Sequence, residues 1–120
     1  YGSFVTDYVR AGATILVIMT NDAWWSNTQG HKQHLSYAKL RALETRKFIA
    51  RSANTGISAI IDPLGKIVTQ LEYDTQGVLV ARVYPQQKKT FYVLYGDFIA
   101  RIAILIAGLI LLFSISRRKQ

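Results

Sequence analysis

The sequence predicts an α/β domain followed by one membrane-spanning helix. Three observations carry this. Two short apolar runs rich in β-branched residues, Thr14–Met19 and Ile57–Ile61, have the length and composition of buried strands. Between them, Leu35, Ala38 and Ala42 fall in one row at helical spacing. Near the end, Phe98–Ile115 runs for 18 residues with Arg101 as its one charge.

In chain order, Phe4–Ala11 reads as the end of a short helix that Gly12 stops. Thr14–Met19 follows as a strand buried on both faces, which makes a helix–turn–strand pattern. Asn21–His34 is polar apart from Trp24 and Trp25 and reads as a loop. Leu35–Lys47 is helical, with Tyr37, Leu40 and Leu43 forming a second row. Lys39, Arg41 and Arg46 are placed to reach solvent.

Phe48–Ser52 is a strand that Asn54-Thr55-Gly56 breaks, and Ile57–Ile61 is the next. Asp62-Pro63-Leu64-Gly65 suits a type I turn, with Asp first, Pro second and Gly fourth. Lys66–Glu72 and Gly77–Tyr84 continue a β-meander, and Pro85–Thr90 is a polar linker. No repeat or low-complexity tract interrupts the chain.

A helix of roughly 20 residues crosses the hydrocarbon core of a bilayer. Phe98–Ile115 reaches that length once Tyr92–Asp97 is added. Arg101 then lies close enough to one end to snorkel, and Tyr92 and Tyr95 fall where an interfacial aromatic belt is expected. Ile102–Phe113 is apolar all round, unlike a soluble core helix with one polar face. Arg117-Arg118-Lys119 caps the far end and favours a cytoplasmic C-terminus.

The formal charge is +8, from 15 Lys and Arg against 7 Asp and Glu. It is scattered, and its one dense cluster directly follows the apolar run, which points to a membrane. No surface interleaves cations with stacking aromatics, so no nucleic-acid partner is expected. The chain has no cysteine, which excludes disulfides, Cys-based metal sites and a Cys nucleophile within it. Tyr1 is not a start residue, and no signal peptide opens the chain, so a preceding segment is expected.

Thr20-Asn21-Asp22-Ala23-Trp24-Trp25, Gln33-His34-Leu35, Ala38–Glu44, Arg51–Ser58 and Tyr95-Gly96-Asp97 together resemble the apolipoprotein N-acyltransferases. These are a membrane branch of the carbon–nitrogen hydrolase (nitrilase) superfamily. The resemblance spans essentially the whole chain, and its motifs are specific in combination.

It implies the C-terminal part of a nitrilase-like α-β-β-α sandwich over residues 1–90, a transmembrane helix over 91–116 and a basic cytoplasmic tail over 117–120. The domain would sit on the periplasmic side of the bacterial inner membrane. The family's Glu-Lys-Cys triad lies upstream, so no catalytic residue maps onto this chain. The resemblance implies that the upstream Cys takes an acyl chain from a phospholipid as a thioester. It then yields that chain to the α-amine of a lipoprotein's diacylglyceryl-cysteine. The partners are thus a phospholipid donor, a diacylglyceryl-modified apolipoprotein and the membrane. No cofactor or metal is called for, the protein is expected as a monomer, and this chain alone is expected to be inactive.

One departure stands out. The family carries Gly after the aromatic pair, and Ser26 stands there. A positive φ at that position would strain a serine.

The substrate-contact candidates are Asn21, Asp22, Trp24, Trp25 and His34. Two adjacent large aromatics in an extended loop cannot both enter one core. An exposed Trp beside a lipid-handling site would line an acyl groove or rest in the interface; otherwise one packs on the sheet edge and the other covers a surface. Asn21 and Asp22 end a buried strand, where ligand sites of α/β folds cluster, or simply form an Asx-turn. His34 either contacts substrate or caps and packs beside a helix start, and His31 is a weaker candidate.

Glu44 lies within its helix near Arg41 and Arg46 and suits a structural ion pair, with Arg51 as one candidate partner, or else a supporting place behind the site. Lys39 and Lys47 read as a solvated face, and Asn54 and Gly56 as a special backbone turn. Two rival functions remain at this point: a membrane-tethered amidase of the same superfamily, and a non-catalytic membrane-anchored interaction module.

Overall fold

The computed structural model describes residues 2–117. The expectations that rest on Tyr1, Arg118 and Lys119 lie outside them. Helix α1 (Gly2–Arg10) leads into strand β1 (Ile15–Thr20). A 3-10 turn (Ala23–Trp25) precedes helix α2 (Gln29–Thr45). Strands β2 (Phe48–Ala53), β3 (Ser58–Ile61) and β4 (Ile67–Leu71) follow. A short helix α3 (Phe91–Tyr95) and the long helix α4 (Phe98–Arg117) complete the chain.

The four strands form one sheet in chain order. β1 and β2 run parallel, with Ile15 opposite Phe48 and Thr20 opposite Ala53, and α2 is the crossover that parallel pairing requires. β3 and β4 add antiparallel. The Asp62 turn that joins them is as expected. Gly65 N donates to Asp62 O at 2.9 Å, and Asp62 Oδ1 accepts from Leu64 N at 2.8 Å and Lys66 N at 2.9 Å.

α2 starts at Gln29 rather than Leu35, because Thr28 caps it: its Oγ1 accepts from Gly30 N at 3.3 Å. Such a cap contributes about 1 kcal/mol. Its row of Leu35, Ala38 and Ala42 is buried against Ile49, Ile57, Ala59 and Ile61, and Leu16 and Ile18 close the cluster. Each large aliphatic side chain buried there contributes roughly 1.5–3 kcal/mol. Tyr37, Leu40 and Leu43 lie on the opposite, exposed face.

Several expectations are corrected. β1 is covered on one face only: Val17 and Met19 alternate with Leu16 and Ile18 and are exposed. Arg41 is buried, pairing with Glu44 at 2.9–3.0 Å. Glu44 therefore pairs with Arg41 and not with Arg51.

Lys47 is fully buried, because Arg46 takes a left-handed conformation (φ 54°) at the helix end and turns the next residue inward. Gly77–Tyr84 keeps an alternation, with Val78 and Val80 exposed and Leu79, Ala81 and Val83 half-buried, yet it forms no strand. Gly77–Leu79 instead border a groove with Val17, Ala50 and Ile60.

α3 is capped by Thr90, whose Oγ1 accepts from Val93 N at 3.1 Å, and it buries Val93. Gly96 (φ 69°) ends α3, and Asp97 Oδ1 accepts from Ala100 N at 3.1 Å to start α4. α4 has 20 residues, a mean hydropathy of 2.6 and no buried residue, so it is long and apolar enough to cross a membrane. At about 1.5 Å per residue it spans roughly 30 Å.

Candidate functional site

The carboxyl ends of β1 and β2 lie side by side, since Thr20 faces Ala53. Asp22, just past β1, turns inward and loses all solvent access. Its carboxylate takes three partners from three elements. Arg51 of β2 donates from Nη2 to Oδ2. His34 of α2 lies with Nδ1 at 2.8 Å from Oδ1, and Thr20 Oγ1 donates to Oδ1 at 3.1 Å.

Arg51 also donates from Nε to Ile57 O at 3.1 Å, while its Nη1 is buried without a partner. Gly56 closes the floor: a Cβ there would sit 2.3 Å from Asp22 Oδ2, so only glycine lets the β2–β3 turn pass. Removing one partner of such a buried pair leaves an uncompensated charge, at a cost of about 3–5 kcal/mol.

The aromatic pair stands directly above. The Asn21 side chain folds back to accept from Ala23 N at 3.1 Å, forming an Asx-turn that launches the 3-10 turn. Trp25 is half-held: its ring meets the His34 imidazole edge-to-face with centroids 5.0 Å apart. It also lies against Gly30, where a Cβ would come within 2.6 Å of the indole. Trp24 projects outward and is 85% exposed.

Ser26, after the pair, has φ 47° and ψ −161°, a backbone region that is almost reserved to glycine. The strain expected for a serine there is present. His31 is buried, with Nδ1 3.3 Å from Ser26 O and its ring 4.5 Å from that of Tyr73.

The structure thus brings Asp22, Trp25 and His34 together, with Trp24 beside them and Asn21 shaping the turn. Chemically, the carboxylate accepts from His34 Nδ1–H. In the neutral imidazole this leaves Nε2, on a partly exposed ring, as a hydrogen-bond acceptor. Among the described residues, no three His, Asp or Glu side chains converge as metal ligands would.

A groove of about 370 Å³ lies elsewhere, between α1 and β1. Phe4, Val5, Ile15 and Ile18 line it, and none of the five candidate residues does.

Sequence reasoning missed Arg51 as the partner of Asp22. The signal was present: Arg51 shares the inward face of β2 with Ile49, and a cation on a core face demands a carboxylate. Lys47 was missed too. Its ammonium donates to Gln86 O and, at 2.8 Å, to Lys88 O, which ties the linker down. Burial and then the nearby Lys89 ammonium hold its pKa below the ordinary lysine value. Burial pushes the Glu44 carboxyl up, opposed by the Arg41 guanidinium.

Comparison with known proteins agrees with this architecture. The family described as carbon-nitrogen hydrolase matches residues 1–90. The apolipoprotein N-acyltransferase of Chlorobaculum tepidum is 34% identical over 115 residues, 96% of this chain and 22% of that protein. Its counterpart in Pseudomonas putida is 37% identical over 105 residues, 87% of this chain and 21% of the relative. That of Bradyrhizobium diazoefficiens is 42% identical over 95 residues, 79% of this chain and 18% of the relative. The chain spans about a fifth of the length of these curated relatives. With the family match covering 90 of its 120 residues, the chain belongs to the carbon–nitrogen hydrolase family.

Proposed function

We propose that this chain is part of an apolipoprotein N-acyltransferase. The intact protein moves a fatty acyl chain from a phospholipid to the N-terminal diacylglyceryl-cysteine of lipoproteins, through a thioester on a Cys upstream of these residues. One observation carries the reading beyond family membership. The similarity to the Chlorobaculum tepidum protein takes in 115 of 120 residues, so it runs through most of α4 as well as the domain.

In this reading residues 1–90 are the C-terminal portion of the catalytic domain, the segment expected at 91–116 crosses the bacterial inner membrane through its α4 part alone, and 117–120 form a cytoplasmic tail. The domain faces the periplasm, and the protein acts as a monomer. Trp24 and Trp25 contact the lipid substrate. His34 offers Nε2 to a polar group of the substrate, Asp22 serves the site by holding His34, and Asn21 shapes the turn that presents the indoles. The 120 residues alone have no thiol, so they form no thioester and transfer nothing.

The test is replacement. The complete coding sequence is expressed in a bacterium depleted of its own apolipoprotein N-acyltransferase, and lipoprotein N-termini are read by mass spectrometry. Restored N-acylation supports the proposal. Release of free fatty acid with no N-acylated lipoprotein identifies an amidase instead. Acyl transfer by the isolated 120-residue chain contradicts the assignment of the nucleophile to an upstream Cys.

A further inference from the structure

Where the linker enters the apolar helix, polar and aromatic groups form a collar that the acyl-transfer reading leaves unused. α3 buries Val93 against α1 and α2 and turns Phe91, Leu94 and Tyr95 outward. Tyr92, expected in an aromatic belt, instead faces α1, with its hydroxyl 2.9 Å from where a Gly2 Cβ would stand. The outward rings cluster: Phe91 lies 4.5 Å from Tyr95 and 5.1 Å from Phe98, centroid to centroid. Exposed aromatics at the root of an apolar helix occupy the position of an interfacial belt.

The same collar is cationic. Lys89 Nζ donates to Arg10 O at 2.8 Å, and Arg10 Nε donates to Val93 O at 2.6 Å, so the lysine is fastened to the end of α1 and the arginine to α3. Lys88 is exposed beside them, on a backbone that Lys47 anchors from below. Arg101 folds back towards the turn, with Nη2 3.6 Å from where a Gly96 Cβ would be. The positive φ of Gly96 (69°), and not the space around it, is what favours glycine at this break.

Against these four cations stand Asp7, paired with Arg10 at 2.8 Å, and Asp97, which caps α4. Lys88, Lys89 and Arg101 have no carboxylate partner among the described residues. Cations without carboxylate partners, next in the chain to exposed aromatics, complement the phosphates of a lipid leaflet.

We infer that α3, with Lys88, Lys89 and Arg101, is a membrane-surface seat that binds phospholipid headgroup phosphates of the leaflet nearest the domain. The proposal rests on α4 spanning the bilayer. It adds that the domain is pinned at a fixed height and tilt over the leaflet and does not swing freely on a tether. Gly96, the break between α3 and α4, separates the segment lying along the surface from the one crossing it.

Spin-label depth measurements test this on the full-length protein in nanodiscs of phosphatidylethanolamine and phosphatidylglycerol. Single nitroxides are attached after Leu94→Cys, Leu105→Cys or Leu64→Cys, with any other cysteine replaced by serine. The expected result is a headgroup-level depth at 94, a hydrocarbon depth at 105 and full exposure to an aqueous nickel chelate at 64.

Combining Lys88→Glu with Lys89→Glu is expected to raise nickel accessibility at 94 severalfold while 105 stays in hydrocarbon. A label at 94 as accessible as that at 64, with 105 still in hydrocarbon, overturns the seat and leaves the membrane span intact. No response at 94 to the double charge reversal overturns the phosphate contact. An aqueous label at 105 removes the span and the seat together.

Discussion

Arg51 and Asp22 meet across the carboxyl ends of two parallel strands and form an ion pair with neither side chain open to solvent. The pair locks the floor beneath the Trp24–Trp25 turn, and its energetics are asymmetric. Asp22→Ala is expected to cost about 3–5 kcal/mol, because the Arg51 guanidinium is left buried and unpaired. Asp22→Ala with Arg51→Met together should cost less than the two single changes added, since the second removes the stranded charge. Thermal unfolding of the four detergent-solubilised proteins measures the cycle.

Gly56→Ala tests the same floor from below. The new Cβ would stand 2.3–2.7 Å from three Asp22 atoms. The turn or the carboxylate must move, at about 1–3 kcal/mol. Tryptophan fluorescence should shift as well, because Asp22 stands two residues before Trp24, and an unchanged spectrum would show that the turn absorbs the strain alone.

Ser26→Gly should stabilise the protein by about 1 kcal/mol. Serine at φ 47° and ψ −161° occupies a conformation costing of order 1–3 kcal/mol for residues with a Cβ, and part of the gain is returned through the looser unfolded chain. A lower melting temperature for Ser26→Gly would refute the strain.

The two indoles should separate in function and stability. Trp24→Ala removes a projecting side chain and is expected to change stability by less than about 0.5 kcal/mol. Trp25→Ala loses the contacts with His34 and Gly30 and should be clearly destabilising. If Trp24 touches lipid, Trp24→Ala lowers acyl transfer by the intact enzyme while melting is unchanged, and full activity would remove it from the substrate path.

Glu44 sets a pH dependence with a definite sign. Its folded pKa is raised, chiefly by burial, above that of an unfolded glutamate near 4.3. The folded state therefore holds the proton more tightly. The stability this contributes is complete below about pH 4.3 and is lost as pH rises through the raised folded value. Glu44→Gln should flatten that part of the stability profile, measured by denaturant titration across the acid range.

How much of this was legible in the sequence depends on the range of the interaction concerned. β1 and β3 announced themselves as apolar runs, and the buried row of α2 followed from its spacing. The Asp62 turn was readable because all its bonds lie within five residues. Gly77–Tyr84 shows the limit: alternation reports which side faces protein, but a strand needs a neighbour's backbone, and this segment crosses the sheet face instead.

Arg41 and Lys47 belong to a residue type that points to solvent, yet their positions bury both. Arg41 stands one helical turn after Ala38, and Lys47 is carried inward by the left-handed Arg46. The contact of Asp22 with Arg51 joins residues 29 apart and exists only because the parallel register sets Thr20 beside Ala53, which no local pattern encodes.

The sheet's chain-order arrangement also dictates a sequence of events during folding. β2, β3 and β4 are linked by tight connections and can zip together at little entropic expense. β1 joins only after the whole of α2 has looped back, which is the slow, long-range closure of the sheet. Asp22 arrives with β1, so the carboxylate reaches its guanidinium in the last step. The aromatic turn is therefore expected to take its final shape only once β1 has docked beside β2.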